Sequence, residues 1–151
     1  MAYPPPRVNA PILKKVLNNP EFTVYPIELA KSNSKILNIN FRGCNIREIP
    51  KGSFDYENAV NFSSFDFSYN DLKDLPYEMH AGNMPYLYGV ELSYNQFSSF
   101  PWEPLDSQYL TVFALRGQRD EEGARCMSEW PTGIYQHRGL RGLYLGSNNL
   151  G

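Results

Sequence analysis

The segment FSSFDFSYNDLKDLP, residues 62–76, decides the fold. Phe65 and Phe67 alternate with Asp66 and Ser68, the period-two signature of a half-buried strand. An Asn at 70, a Leu at 72 and a Leu-Pro at 75–76 follow at offsets that no isolated turn requires. The same ending closes ILNINFRGCNIREIP (36–50) and LYGVELSYNQFSSFP (87–101). Numbered from the first residue of each copy, positions one, four, six, eleven and fourteen are apolar throughout. They are Ile36, Ile39, Phe41, Ile46 and Ile49, then Phe62, Phe65, Phe67, Leu72 and Leu75, then Leu87, Val90, Leu92, Phe97 and Phe100. Position nine is Cys44, Asn70 and Asn95.

Two further copies are in register. LTVFALRGQ begins at Leu110, with Phe113, Leu115 and Gln118 at positions four, six and nine. It closes on Met127, Trp130 and Pro131 after about seven extra residues. LRGLYLGSNNL begins at Leu140, with Leu143, Leu145, Asn148 and Leu150 in register. Starts at 36, 62, 87, 110 and 140 give a period in the range where repeats build solenoids.

With these residues in place, the chain resembles the leucine-rich repeat family, whose pattern is L-x-x-L-x-L-x-x-N/C-x-L. The resemblance covers residues 36–151, about three quarters of the chain, and three of the five copies are complete without a gap. Phe54, Leu105, Tyr135 and, less well, His80 add a large residue four positions after the proline. That feature resembles the longer repeats, of about 24 residues, that are mostly extracellular. The departures are the insertion in the fourth copy and the missing tail of the fifth. The resemblance implies an α/β, right-handed solenoid of about five repeats. Its curved parallel sheet would form the concave face, with loops and short helical turns on the convex side.

The spacing reads the same way without the family. Positions four and six point to one face of a strand and position five to the other. Long return segments force successive strands to run parallel, with right-handed crossovers. Stacking them about 4.8 Å apart joins the apolar positions into one core. Where the chain turns after the strand, backbone N–H and C=O groups are stranded inside. The position-nine amide has donors and an acceptor to satisfy them. Asn70, Asn95, Gln118 and Asn148, with Cys44 in the same slot, are therefore predicted to form a ladder.

Composition narrows the function. The chain has 151 residues and a net charge of −2, so it carries no broad electrostatic case for nucleic acid or an anionic membrane. No apolar run approaches the ~20 residues of a transmembrane helix. MAYPPPRVNA lacks the hydrophobic run of a signal peptide, so an export signal or anchor is expected to lie outside this chain. Cys44 and Cys126 sit three repeats apart, about 14 Å along the stack, too far for the ~7 Å Cα reach of a disulfide. Cys44 is read as core and Cys126 as a half-exposed thiol.

Residues 1–35 are read as an N-terminal linker and cap. MAYPPPR is the extended linker, and a short helix starts at Asn9-Ala10-Pro11, with Ile12, Leu13, Val16 and Leu17 on one face. The same segment also fits a degenerate first repeat, with Ile12, Leu17, Phe22, Tyr25 and Pro26 in register. Residues 36–151 form the repeat domain. The chain ends within the fifth copy, so the expectation is a native protein that continues through further repeats and a cap.

Function is expected on the outward sheet face, the usual interaction surface that the resemblance implies. Position five supplies Asn40, Asp66, Glu91, Ala114 and Tyr144; position seven supplies Arg42, Ser68, Ser93, Arg116 and Gly146; position eight supplies Gly43, Tyr69, Tyr94, Gly117 and Ser147. Tyr88 and Arg141 join them from position two. Tyr and Arg are the types enriched at interface hot spots, so Tyr69, Tyr94, Tyr88, Asp66, Glu91, Arg116, Tyr144 and Arg42 form the candidate partner-binding set. The plainer reading is that Tyr69 and Tyr94 simply stack on each other as neighbours. The insertion RDEEGARCMS is a second candidate, although its charges also suit any solvated loop.

Enzymatic readings find little support. His80 and His137 lie on different return segments and fit no metal spacing. Asp66 and Glu91 have the separation of a retaining glycosidase pair, about 5 Å, but stand on an open sheet with nothing to desolvate them. Cys126 with His137 lacks an orienting third group. No catalytic residue, metal or cofactor is expected. The triplet Asn61-Phe62-Ser63 matters only in a eukaryotic secretory setting. The expected function is non-enzymatic protein–protein binding through the concave face. A structural spacer or assembly module of a larger surface protein, or a glycan-binding surface along the tyrosines, are the alternatives. A composition rich in aromatics, Asn and Ser resembles repeat domains displayed on the surface of gut bacteria, which places the expected setting outside the cell or at its surface.

Overall fold

The structure is a computed structural model that describes residues 7–9, 23–26, 38–55, 57–79, 84–101, 109–129 and 139–149. Six strands form one parallel sheet in sequence order: β1 (Arg7–Asn9), β2 (Asn38–Asn40), β3 (Ser64–Asp66), β4 (Gly89–Glu91), β5 (Val112–Ala114) and β6 (Gly142–Tyr144). Every pair from β2 to β6 keeps repeat register: Ile39, Phe65, Val90, Phe113 and Leu143 align at position four, and Asn40, Asp66, Glu91, Ala114 and Tyr144 at position five. Each strand is three residues long, because the chain turns as soon as position five is passed. Short 3₁₀ turns, Glu57–Asn61 and Tyr77–Met79, lie on the return segments.

The core follows the pattern. Positions four, six and eleven are buried in the first four copies: Ile39, Phe41 and Ile46; Phe65, Phe67 and Leu72; Val90, Leu92 and Phe97; Phe113, Leu115 and Met127. Phe54, Ala59, Met79 and Met84 close the core from the return segments. Phe41 and Phe67 stack at 5.5 Å, and Tyr25 packs on Phe41, Phe54 and Phe67 with centroids 5.1–5.9 Å away. A fully buried Phe contributes about 3 kcal/mol from area alone, so this aromatic column carries a large share of the core.

The N-terminal segment departs from the expected register. Arg7–Asn9 is a strand, not linker and helix start: Val8 aligns with Ile39 and Asn9 with Asn40. The degenerate repeat put position four at Lys15, ten residues before Tyr25, whereas the residue aligned at that position is Val8, seventeen residues before it. Its closing half does keep register, since Val24 bridges Glu48 and the Tyr25 N–H donates to Glu48 O at 2.9 Å. Seven extra residues therefore lie between Val8 and Tyr25, as many as in the fourth copy. The expected short cap helix, with Ile12, Leu13, Val16 and Leu17 on one face, lies outside the described residues, as do Ile36, Leu105, Tyr135, Trp130, Pro131, Leu150 and both histidines.

Candidate interaction face

The face is built on backbone that the position-nine side chains hold in place. Asn70 Nδ2 donates to Phe41 O and Phe67 O, both at 2.8 Å, while its Oδ1 accepts from Cys44 N at 3.0 Å and Ile46 N at 2.8 Å. Asn95 repeats this one copy on, donating to Phe67 O and Leu92 O and accepting from Leu72 N at 3.0 Å. Gln118 donates to Leu92 O at 2.9 Å and accepts from Phe97 N at 2.9 Å. Asn148 donates to Leu115 O at 2.7 Å and accepts from Gln118 N at 2.8 Å. All four amides are buried. Cys44, also buried, donates its thiol to Arg42 O at 3.4 Å.

This ladder has a consequence one turn earlier. The amide of each copy takes the position-six carbonyl of the copy before, so the position-seven N–H needs another acceptor. Position five supplies it. Asn40 Oδ1 accepts from Arg42 N at 3.0 Å, Asp66 Oδ1 from Ser68 N at 2.8 Å and Oγ at 2.6 Å, and Glu91 Oε1 from Ser93 N at 2.8 Å. These are side-chain caps of the kind Asx turns use. Ala114 has no acceptor to offer, and Arg116 N donates instead to Ser93 Oγ at 3.0 Å. The outward-pointing set of position five thus has a structural task, and three residues expected on the outward face are buried instead. Ala114 is buried, a methyl between the longer Glu91 and Tyr144 of the flanking strands. Ser68 and Ser93 are buried too, because their hydroxyls serve this capping network.

Position eight is left-handed in every copy: φ is 65° at Gly43, 58° at Tyr69, 60° at Tyr94, 59° at Gly117 and 62° at Ser147. The two tyrosines occupy a conformation that costs roughly 1–2 kcal/mol without glycine. They stack with centroids 4.5 Å apart and planes 17° apart. The Arg42 guanidinium lies 4.6 Å from the Tyr69 centroid on the first-copy side. On the fourth-copy side, a Cβ at Gly117 would come within 2.5 Å of the Tyr94 ring, so only glycine lets that ring lie down. Stacking and cation–π attraction return roughly 1–2.5 kcal/mol, which offsets part of the strain of the two residues. A second pair closes the fifth copy, with the Arg116 guanidinium 4.3 Å over Tyr144.

Between these features the sheet carries an open depression of about 560 Å³ over β2 to β5. Tyr88, Asp66 and Glu91 line it, together with Asn38, Asn40, Ser64, Gly89 and Val112. Three of the eight candidate residues therefore meet in one place. Tyr69, Tyr94 and Arg42 form a separate column, and Arg116 and Tyr144 a separate pair. Position three was the missed element: Asn38, Ser64, Gly89 and Val112 share the parity of position five and face outward with it. Ser64 Oγ donates to Asn38 Oδ1 there. Tyr86 and Tyr109, also missed, stand just before position one of their copies, both more than half exposed, with centroids 6.1 Å apart.

The insertion is a tight turn. Arg119 and Arg125 form an antiparallel bridge, and Asp120 Oδ1 accepts from Glu122 N and Ala124 N, both at 2.9 Å. Glu121 reaches back to Lys73 at 3.2 Å in an exposed pair, which contributes little to stability. Cys126 is half-buried and donates its thiol to Phe97 O at 3.2 Å; burial raises its pKa above the ordinary thiol value. It is not bonded to Cys44. No group of three or more metal-ligating side chains occurs among the described residues, and no helix among them is long and apolar enough to cross a membrane.

No protein-family model matches the chain, and no curated protein does. Solved structures do. A leucine-rich repeat protein from Bacteroides thetaiotaomicron is 38% identical with a TM-score of 0.78, over 85% of this chain and 16% of that one. A leucine-rich repeat protein from Bacteroides eggerthii is 40% identical with a TM-score of 0.76, over 84% of this chain and 22% of that one. The chain thus spans less than a quarter of the length of either. Repeat register, amide ladder and these structural neighbours agree, and the chain is a leucine-rich repeat protein with the parallel-sheet solenoid of that family.

Proposed function

We propose that this chain is a non-enzymatic binding module that holds a protein partner on the concave face of its sheet. The observation that carries the reading is the density of exposed aromatic surface there. Tyr69, Tyr88, Tyr94 and Tyr144, with Tyr86 and Tyr109 at the entry edge, are each 40–57% exposed around one rigid sheet. Tyrosine brings large contact area at small entropic cost, which suits protein recognition. A bacterial cell-surface or extracellular setting is the matching part of the proposal, supported by the Bacteroides origin of the two neighbours. The test is a pull-down with the chain as bait beside a Tyr69→Ala, Tyr88→Ala, Tyr94→Ala variant, both first shown to melt cooperatively by circular dichroism. A partner held by the parent and lost by the variant supports the proposal. A partner held equally by both moves the binding surface elsewhere.

A structural spacer is the second reading, favoured by how much of the face is engaged with itself. Asp66, Glu91 and Asn40 cap their own backbone, and the Tyr69–Tyr94 stack is closed by Arg42 and Gly117. The same closure weighs against glycan binding on Tyr69, since a sugar stacks on a ring face and that ring carries Tyr94 on one side and the Arg42 guanidinium on the other. A spacer would show no partner lost in the triple variant.

A further inference from the structure

We infer that the depression over β2 to β5 seats one cationic side chain, an arginine or lysine, presented by the protein partner; the inference rests on the concave-face proposal and specifies its chemistry. Asp66 and Glu91 stand side by side on β3 and β4, about 4.8 Å apart by strand spacing. Each commits one oxygen to its own backbone cap. The second oxygen of each, Asp66 Oδ2 and Glu91 Oε2, has no hydrogen-bond or ion-pair partner among the described residues. The cations nearest in the repeat pattern are spent elsewhere on the face: Arg42 lies over Tyr69 and Arg116 over Tyr144. The face therefore holds two adjacent carboxylates with no counter-charge among the described residues, in the lining of a depression and flanked by arginines.

The surroundings select the occupant. Gly89, at position three between Ser64 and Val112, puts no side chain into the floor beside Glu91. Tyr88, half exposed, stands at the wall and offers a ring to a cation. Asn38, Asn40 and Ser64 add polar groups on the other side. A guanidinium matches paired carboxylate oxygens in a planar fork, and an ammonium fits as a point charge. A bare divalent cation fits poorly, because calcium takes six to eight oxygen ligands and two carboxylates on an open sheet fall far short. Arg42 and Arg116 repel a second cation at either side, so one basic residue is seated and its neighbours in the partner are neutral or acidic.

The experiment is an NMR titration of the full chain, labelled with ¹⁵N, using the capped peptide Ac-Gly-Gly-Arg-Gly-Gly-NH₂ and the same peptide with citrulline, which keeps the shape and removes the charge. The reporters are the amides of Ser68 and Ser93, which donate to the two carboxylates. The arginine peptide is expected to shift both amides at least about fivefold more than the citrulline peptide at equal concentration. The Asp66→Asn, Glu91→Gln variant is expected to abolish that difference. It is a fair control, because Asn40 shows that an amide oxygen caps position seven as well as a carboxylate does. No shift with the arginine peptide, equal shifts with citrulline, or an arginine-dependent shift that survives in the variant each overturns the inference. A partner captured by the parent and by the Asn/Gln variant alike, yet lost by the tyrosine variant, also overturns it while leaving the concave-face proposal standing.

Discussion

The third and fourth repeats place different residues at the same positions: Glu91 and Ala114 at five, Tyr94 and Gly117 at eight, Asn95 and Gln118 at nine. Their backbones nonetheless pair in full register and turn with nearly equal φ at position eight, 60° and 59°. What is held constant is the set of satisfied backbone groups, and several side chains can satisfy it. Where Glu91 caps its own turn, the fourth copy borrows Ser93 Oγ from its neighbour. Where Gln96 N donates to Leu72 O, the inserted turn draws Arg119 N away to Asn95 O, and the Cys126 thiol takes up Phe97 O in its place. Counting back from Met127 puts Cys126 at position ten, where the register resumes after the insertion. A detour seven residues longer than the regular turn is thereby absorbed with the Phe97 carbonyl still partnered at the seam.

The sharpest way to break the equivalence is Asn95→Leu. Leu72 N, Phe67 O and Leu92 O lose a buried partner together, at a cost of about 3 kcal/mol or more, read as a fall in the denaturation midpoint. An unchanged midpoint would remove the amide ladder from the account. Gly117→Ala tests the packing side of the comparison. It combines a left-handed residue with a Cβ 2.5 Å from the Tyr94 ring, so it is expected to cost about 2 kcal/mol and to disturb the tyrosine stack. Gly43→Ala, at the same position of the first copy with nothing within 4 Å of the new Cβ, is expected to cost only about 1 kcal/mol. Equal costs at the two sites would mean that backbone strain alone governs position eight. Cys126→Ala has the smallest effect, about 1 kcal/mol, from the released Phe97 carbonyl, and Cys126→Ser restores most of it. Because burial raises its pKa, less thiolate is present at pH 8 than for an ordinary cysteine. Alkylation by iodoacetamide is expected to be slower than in the urea-unfolded chain.

Much of this architecture was legible in the residues. Two-residue spacing fixes which way Phe65 and Phe67 point, and a proline-aligned register fixes which residues neighbour them across copies. The aromatic and aliphatic core and the amide slots at 70, 95, 118 and 148 follow directly. The same parity rule placed Asp66 and Glu91 outward, and applied one step further it would have found Asn38, Ser64, Gly89 and Val112; Tyr88, at position two and just ahead of the strand, lies outside that rule. The strand at Arg7–Asn9 was hidden because a seven-residue insertion separates it from Tyr25, and no single apolar residue marks a position without its register.

The sequence by itself determined the period, the inward and outward faces and the polar slot of each turn, because those depend on offsets within one copy. Only the tertiary structure decided what each outward side chain does with its atoms. Asp66 and Glu91 divide their oxygens between a cap and open solvent, Arg42 and Arg116 choose rings over carboxylates, and Tyr94 lies flat only because residue 117 is glycine. The choices of Arg42, Arg116 and Tyr94 rest on partners one repeat away, more than twenty residues along the chain, and the local caps of Asp66 and Glu91 are called for because an amide of the same turn takes the position-six carbonyl of the copy before; such contacts are set by stacking and not by local spacing.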